Sequence, residues 1–247
     1  MTAPGSPPAG NGIVQSLWIG PRLSAMERTC IGSFLQNGHR FHLYVYDEPL
    51  GVPRGTDLRD AAEILPAASI WVYRDQRTFS GFSNFFRYKL LLERGGWWVD
   101  TDTVALRPLA FDTDHVFSSE GINGRRTTTT CMIKAPAGSR VMEYAWQRCQ
   151  TMDTATLTWG VSGPRLLNEA VSTCSFETFV QPTDVFCPIH FSEWRQLLDP
   201  AAVRTLGPHV HTVHLWHELW RREGRDKDGC YPRGCLYELL KRRYCFE

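Results

Sequence analysis

The chain has 247 residues, 43% of them apolar and 12% aromatic, enough to bury a sizeable core within a single domain. Its formal net charge of +1 provides no global attraction for nucleic acid. No apolar run approaches the length of a membrane span, and the first residues lack a basic-then-apolar signal layout, so the expectation is a soluble cytoplasmic protein.

Residues 1–12, rich in proline, glycine and alanine, read as a disordered lead-in to a domain spanning 13–247. Ile13–Ile19 is the first strand. Ser24 and Glu27 then form a capping box for a helix that runs to about Gln36 and stops at Asn37-Gly38. Phe41–Tyr46 alternates into a second strand. Strand, helix and strand in this order imply a crossover and a parallel pair, the opening of a Rossmann-like nucleotide-binding half. Residues 56–65 read as a short strand and a helical turn ended by Pro66, and Ile70–Tyr73 as an edge strand.

The stretch from Phe82 to Leu106 carries the most information. Phe82, Phe85, Phe86 and Leu90 recur at helical spacing, with Ser80 or Ser83 available as the cap. Gly95-Gly96 ends that helix, Trp97-Trp98-Val99 forms a buried strand, and Asp100 and Asp102 follow at its C-terminal end. In extended backbone, residues two apart point to the same side. Two carboxylates facing one spot repel unless a cation lies between them, and a hard ion such as Mn²⁺ or Mg²⁺ prefers oxygen ligands. Asn84 and Arg87 share a helix face, and the arginine fork suits phosphate or sugar oxygens. A polar helix face followed at once by D-x-D suggests a nucleotide-sugar site.

Val104–Leu109 reads as a strand leaving the sheet centre, Val116–Glu120 as another, and Thr127–Thr130 as the lead into a third at Cys131-Met132-Ile133. Ser139–Gln150 is an amphipathic helix, and Ser162-Gly163-Pro164 opens a further one. Val180–Ile189 reads as strand, turn and strand. His209, His211, His214 and His217 crowd into one short span, which suggests a metal. Five of the eight cysteines, 30, 131, 149, 174 and 187, read as small buried thiols. Cys230, Cys235 and Cys245 cluster near the end, where free thiols or a metal site are both open. The polar tail ends in Lys241-Arg242-Arg243, either a solvated face or a contact for anionic lipid at the inner membrane face.

Ser83, Arg87, Gly95, Gly96, Asp100 and Asp102 resemble the pattern S-D-x-x-R followed by L-x-x-x-G-G-x-Y-x-D-x-D. That pattern belongs to glycosyltransferases with a DXD sugar-binding region: fungal mannosyltransferase-like proteins, α1,4-galactosyltransferase-like proteins and the glucosylating domains of clostridial toxins. Asn84 stands where the pattern has aspartate, and Trp98 where it has tyrosine. An amide donates where a carboxylate only accepts, so the choice of sugar is open. The resemblance implies a GT-A type α/β fold, with a Rossmann-like mixed central sheet flanked by helices. The nucleotide-sugar half would span about 13–109 and the acceptor half about 110–220. It also assigns roles. Trp18, in the matching Trp18-Ile19-Gly20, would stack on a uracil ring. Asp100, Asp102 and His214 would hold the metal, and Trp220 would cover the diphosphate, as in a terminal H-x-W-x-x-x-W element matched by His214, Trp216 and Trp220. His209, His211 and His217 stay as surface or supporting residues. Glu120 and Ser162 would face the acceptor.

These parts imply a metal-dependent, retaining transfer of a hexose from a nucleotide sugar, a UDP-sugar first, to a polysaccharide, lipid-linked or protein acceptor. Asp100, Asp102 and Arg87 are the expected catalytic residues, and Trp18, Asn84, Arg87, Asp100 and Trp220 the donor-binding ones. Two rivals exist. Asp100 and Asp102 also fit a haloacid-dehalogenase-like phosphatase, with Asp100 as nucleophile, although two strands precede the motif. A non-catalytic nucleotide-sugar-binding protein, with Asn84 marking decay of the site, is the other.

Overall fold

The structure, a computed structural model, describes residues 12–74, 76–122, 124–202 and 205–245. Apart from Gly12, the expected lead-in lies outside the described residues.

Strand β1 (Val14–Trp18) and strand β2 (Phe41–Val45) flank helix α1 (Ala25–Gln36) and pair in parallel, as expected. The α1 capping box forms: Ser24 accepts from a first-turn N–H, and Glu27 accepts from the Ser24 N–H at 2.7 Å. Strand β3 (Thr56–Asp60) extends the sheet beyond β2. Helix α2 (Ser80–Arg94) then leads to strand β4 (Gly96–Val99), which lies parallel to β1 on its other side. Strands β6 (Val116–Ile122) and β7 (Arg125–Ala135) complete the sheet as an antiparallel pair, in the order β3-β2-β1-β4-β7-β6. A central strand is covered on both faces, so the side chains of β1 and β4 must be apolar or find a partner inside. Trp97, Trp98 and Val99 are all buried, with Trp98 in the apolar cluster that α2 joins and Trp97 and Val99 in the one that α1 joins. The two polar side chains of β1 are satisfied internally: Gln15 donates to the Gly95 carbonyl and Ser16 to the Val99 carbonyl. This is the mixed α/β sheet flanked by helices that the GT-A type requires.

Helices α3 (Arg140–Gln150) and α4 (Leu166–Thr173) pack with α2 over the first cluster. Strand β5 (Thr103–Ala105) leaves the main sheet and pairs with β8 (Thr212–His214) in a two-stranded ribbon. The short helices α5 (Thr183–Phe186) and α6 (His217–Arg222) bracket β8, and α7 (Leu236–Tyr244) closes the described chain. The basic tail is therefore no loose segment: α7 buries Tyr237, Leu240 and Tyr244, and Lys241 pairs with Glu238 at 2.7 Å. Among the described residues no helix is long and apolar enough to cross a membrane.

Three local expectations are corrected. Ile70–Tyr73 forms no strand; Trp71 instead packs edge-on against Tyr73 and Phe85, so packing against α2 replaces sheet pairing. Val180 makes only a bridge to Phe117, and helix α5 replaces the expected strand–turn–strand after Pro182. Neither Ser80 nor Ser83 caps α2. Phe79 occupies the cap position, and the Ser80 N–H donates to Thr78 Oγ1 at 3.3 Å.

The two-glycine stop is a steric necessity. Gly95 has φ 64°, and a Cβ there would lie 2.5 Å from the backbone nitrogen of Ala137. Gly95→Ala should therefore destabilise the fold by about 2–4 kcal/mol, combining left-handed strain with a backbone clash, as read by urea unfolding. A second test concerns pH. Burial pushes the His39 imidazole down to about 4, and its Nε2 accepts from the Leu109 N–H at 3.0 Å. The unfolded state binds the proton more readily, so this stabilisation is complete above about pH 6.5 and lost as pH falls towards 4, by up to about 3 kcal/mol. Replacing His39 with Gln should flatten that slope in unfolding curves recorded between these pH values.

Candidate active site

The C-terminal ends of β1 and β4, the start of α2 and the β5–β8 ribbon surround a cavity of about 560 Å³, within the range of small-ligand sites. Trp18, Asn84, Arg87, Asp100, Asp102, Glu120 and His214 all line it, so seven sequence-predicted residues meet in one place.

Asp100 and Asp102 do not sit in extended backbone. The chain turns between them, with the Thr103 N–H donating to the Asp100 carbonyl at 3.0 Å. The turn still converges both carboxylates, because Thr103 begins β5 and pairs with His214 on β8. The Leu215 N–H donates to the Asp102 carbonyl at 2.8 Å, and His214 Nε2 stands 3.2 Å from Asp102 Oδ1. Ligand atoms of Asp100, Asp102 and His214 all lie within 4.8 Å of one another.

The two carboxylates differ in environment. One oxygen of Asp100, Oδ1, accepts from Arg87 at 2.9 Å and from the Trp98 indole N–H at 2.9 Å. Burial nevertheless pushes Asp100 up to about 6, against the pull of Arg87 and with repulsion from Asp102 adding to it. Asp102 is also penalised by burial, but His214 and the His217 backbone N–H, 2.8 Å from Oδ2, hold it well below the usual carboxylate range. His214 is correspondingly raised: burial works against its charge, and Asp102 and Cys131 more than compensate. Two adjacent carboxylates, one costly to ionise without a further positive charge, plus an imidazole, form a donor set that fits a hard divalent ion.

Arg87 is the keystone of this arrangement and not a free phosphate hook. Its side chain is 4% exposed, donates to the Thr130 carbonyl and Ser83 Oγ as well as Asp100, and lies over the Trp98 ring. Ser83 and Trp98 thus belong to the site. Trp98 was readable only as a departure from the usual tyrosine, and its indole N–H does here what a distant pattern does not disclose.

Asn84 donates to Ser162 Oγ at 3.2 Å, and Tyr73 meets the same hydroxyl at 3.2 Å. Tyr88 pins the turn from below through the Ser162 and Gly163 carbonyls. Ser162 is fully buried, so it orients Asn84 and does not reach an acceptor, which corrects that expectation. Trp220 is corrected likewise. It is fully buried among Trp194, Tyr231 and Tyr237 and does not line the cavity. Trp216 lines it instead, with its ring 4.0 Å from that of His214, its N–H on the Ile189 carbonyl, and a left-handed φ of 59°. Backbone strain of this kind persists where the surroundings over-determine it. His217, expected as a surface or supporting residue, takes the supporting role: it lines the cavity and supplies the N–H that holds Asp102. His209 instead faces Asp184, and His211 packs on Phe111. Trp18 borders the cavity with Lys227 Nζ 5.3 Å from its ring centroid. Cys230, Cys235 and Cys245 form no metal-ligating group among the described residues.

Two glycosyltransferase profiles match the chain. Residues 27–122 match the glycosyltransferase sugar-binding region containing the DXD motif, and residues 155–247 match the α1,4-glycosyltransferase conserved region. No curated protein matches. Similar solved structures include the PaToxG glycosyltransferase, with 11% identity, 66% of this chain and 69% of that one covered, and a TM-score of 0.47. A structure described only as a transferase has 11% identity, 72% and 89% coverage and a TM-score of 0.42. A cysteine-to-serine double mutant of a transferase has 10%, 67%, 86% and 0.43 respectively. Ser83, Arg87, Asp100 and Asp102 fall within the first matched region and His214 and Trp216 within the second, so the cavity joins both. The chain is a glycosyltransferase of the DXD-containing type.

Proposed function

We propose that the enzyme is a metal-dependent, retaining hexosyltransferase that uses a nucleotide sugar, a UDP-sugar first, and a saccharide, lipid-linked or protein hydroxyl as acceptor. The observation that carries this reading is the convergence of Asp100, Asp102 and His214 on the floor of a cavity edged by Trp18, Asn84 and Glu120. Asp102, His214 and the second oxygen of Asp100 would hold Mn²⁺ or Mg²⁺. When bound, such an ion neutralises charge on a departing diphosphate.

The protein's own groups do the rest. Arg87 and Trp98 clamp Asp100 through one oxygen and leave the other directed to ligand. The His217 N–H fixes Asp102. The Trp18 ring offers a stacking surface for the base, which places the donor against residues 13–109. Asn84, with its amide nitrogen committed to Ser162, presents its oxygen to a sugar hydroxyl, so the amide performs the accepting role of the usual aspartate. Glu120, 8% exposed and raised by burial, lies on the acceptor side, within 110–220. The acceptor hydroxyl attacks the anomeric carbon on the leaving-group side as the bond from that carbon to the diphosphate oxygen breaks, and its proton passes to the departing phosphate, which retains configuration without a dedicated nucleophile. The phosphatase alternative is disfavoured by the two glycosyltransferase regions that the chain matches on either side of this cavity.

Calorimetric binding of UDP and of GDP, each with and without Mn²⁺, tests the proposal. UDP binding that requires Mn²⁺ is the expected result. Preference for GDP would overturn the Trp18–uracil assignment alone. No nucleotide binding under any condition would sink the donor reading.

A further inference from the structure

His214 belongs to two clusters at once. One is the carboxylate set already described. The other joins it to Cys131 and Cys187, whose sulfurs and one His214 ring nitrogen all lie within 4.8 Å of one another. Cys131 and Cys187 are free thiols, buried to 1% and 2% exposure, with their sulfurs 3.6 Å apart. Two sulfurs bound at about 2.3 Å to one tetrahedral ion would stand about 3.8 Å apart, so the observed spacing already suits such an ion. His214 Nδ1 is buried without a hydrogen-bond partner, which leaves a strong donor atom unspent in the same pocket of polar groups.

The scaffold holds the three side chains independently of any ligand. Cys131 lies on β7, where its carbonyl accepts from the Asp100 N–H at 2.9 Å. Cys187 follows α5, and α5 is tied to β8 by the His211 N–H on the Val185 carbonyl at 2.7 Å and Thr212 Oγ1 on the Phe186 carbonyl at 2.9 Å. His214 ends β8. Backbone bonds thus bring together residues from three parts of the chain, which is the preorganisation a metal site needs.

We propose that Cys131, Cys187 and His214 form a binding site for a zinc-class ion, distinct in chemistry from the Asp100–Asp102 carboxylates. Two thiolates and an imidazole are a borderline-soft set that selects Zn²⁺ over Mn²⁺ or Mg²⁺. Binding releases the thiol protons to solvent and changes no oxidation state. A water molecule completes the four-coordinate shell. Because His214 faces Asp102 through Nε2 and leaves Nδ1 unspent, one imidazole serves both clusters, and a zinc-class ion at the sulfurs alters its hold on the carboxylates; that consequence, unlike the site itself, rests on the proposed function.

The test uses the full chain, reduced and stripped of metal, titrated with Co²⁺ and then with Zn²⁺. The expected result is a thiolate-to-cobalt charge-transfer band that saturates at a single equivalent and is displaced by Zn²⁺. Cys187→Ser, checked by circular dichroism to be folded, should abolish the band and weaken Zn²⁺ binding by about 100-fold, at least what outer-sphere changes cost in known sites. Absence of the band in the unaltered protein overturns the proposal, with no variant needed. So does an unchanged band in Cys187→Ser, which would place the ion on other cysteines. Oxygen-only binding at Asp100 and Asp102 gives no such band, so the outcome does not depend on whether nucleotide binds.

Discussion

Asp102→Asn should leave the protein folded and remove nearly all of its transferase activity. Asparagine keeps the shape and retains an oxygen to accept from the His217 N–H, so the turn into β5 survives and the stability change stays within about 1–2 kcal/mol. What disappears is the negative charge beside His214, the one carboxylate of the pair that the site holds firmly ionised. If that charge anchors a divalent ion worth several kcal/mol to the transition state, turnover falls on the order of 10³-fold. The check is donor turnover across a Mn²⁺ titration, paired with a thermal melt. Activity within tenfold of the unaltered enzyme, at any Mn²⁺ concentration, would refute the metal assignment.

Arg87→Met is expected to do the reverse, with its largest effect on the fold. Arg87 is nearly inaccessible and holds together Ser83, Asp100, Thr130 and Trp98. Removing one partner of a buried ion pair leaves the other uncompensated, at a cost of about 3–5 kcal/mol. Asp100, already pushed up to about 6 by burial with Arg87 present, would move further up and be largely protonated at neutral pH. Stability should recover in part when Asp100→Asn is added, since asparagine is neutral at every pH and escapes the cost of protonating a buried carboxylate, with a coupling of about 1–3 kcal/mol between the two sites. Urea unfolding of the two single variants and the double variant measures this. Additive effects would show that Arg87 and Asp100 do not act as a pair.

The parts of the site that were legible in the sequence share one property: each is encoded locally. Ser83–Asp102 is a continuous run in which helix period, glycine stop and D-x-D stand next to one another, and the capping box at Ser24 and Glu27 spans a single turn. His214 was legible because aromatics at fixed offsets accompany it. The misreadings have a common origin as well. Trp220 and Trp216 are four residues apart and equally plausible as a cover for the diphosphate, and only the packing of Trp194, Tyr231 and Tyr237 around Trp220 buries one and leaves the other at the cavity. Ser162 lay in a recognisable turn, but whether its hydroxyl faces outward depends on Tyr73 and Asn84, which lie far away in the chain.

By itself the sequence determined most of the alternation of strands and helices and the place of the carboxylates at the end of β4, which follow from periodicity and glycine stereochemistry acting over a few residues. The class of chemistry those carboxylates serve came from the resemblance that Ser83–Asp102 carries. Tertiary structure alone decided which polar groups face one another. The pairing of Thr103 with His214 brings the imidazole to Asp102, the clamp of Arg87 and Trp98 leaves Asp100 one free oxygen, and the approach of α5 to β8 sets Cys187 beside Cys131. Apart from the clamp on Asp100, such contacts join residues tens of positions apart, and they exist only because burial in a packed interior obliges each polar group to find a partner.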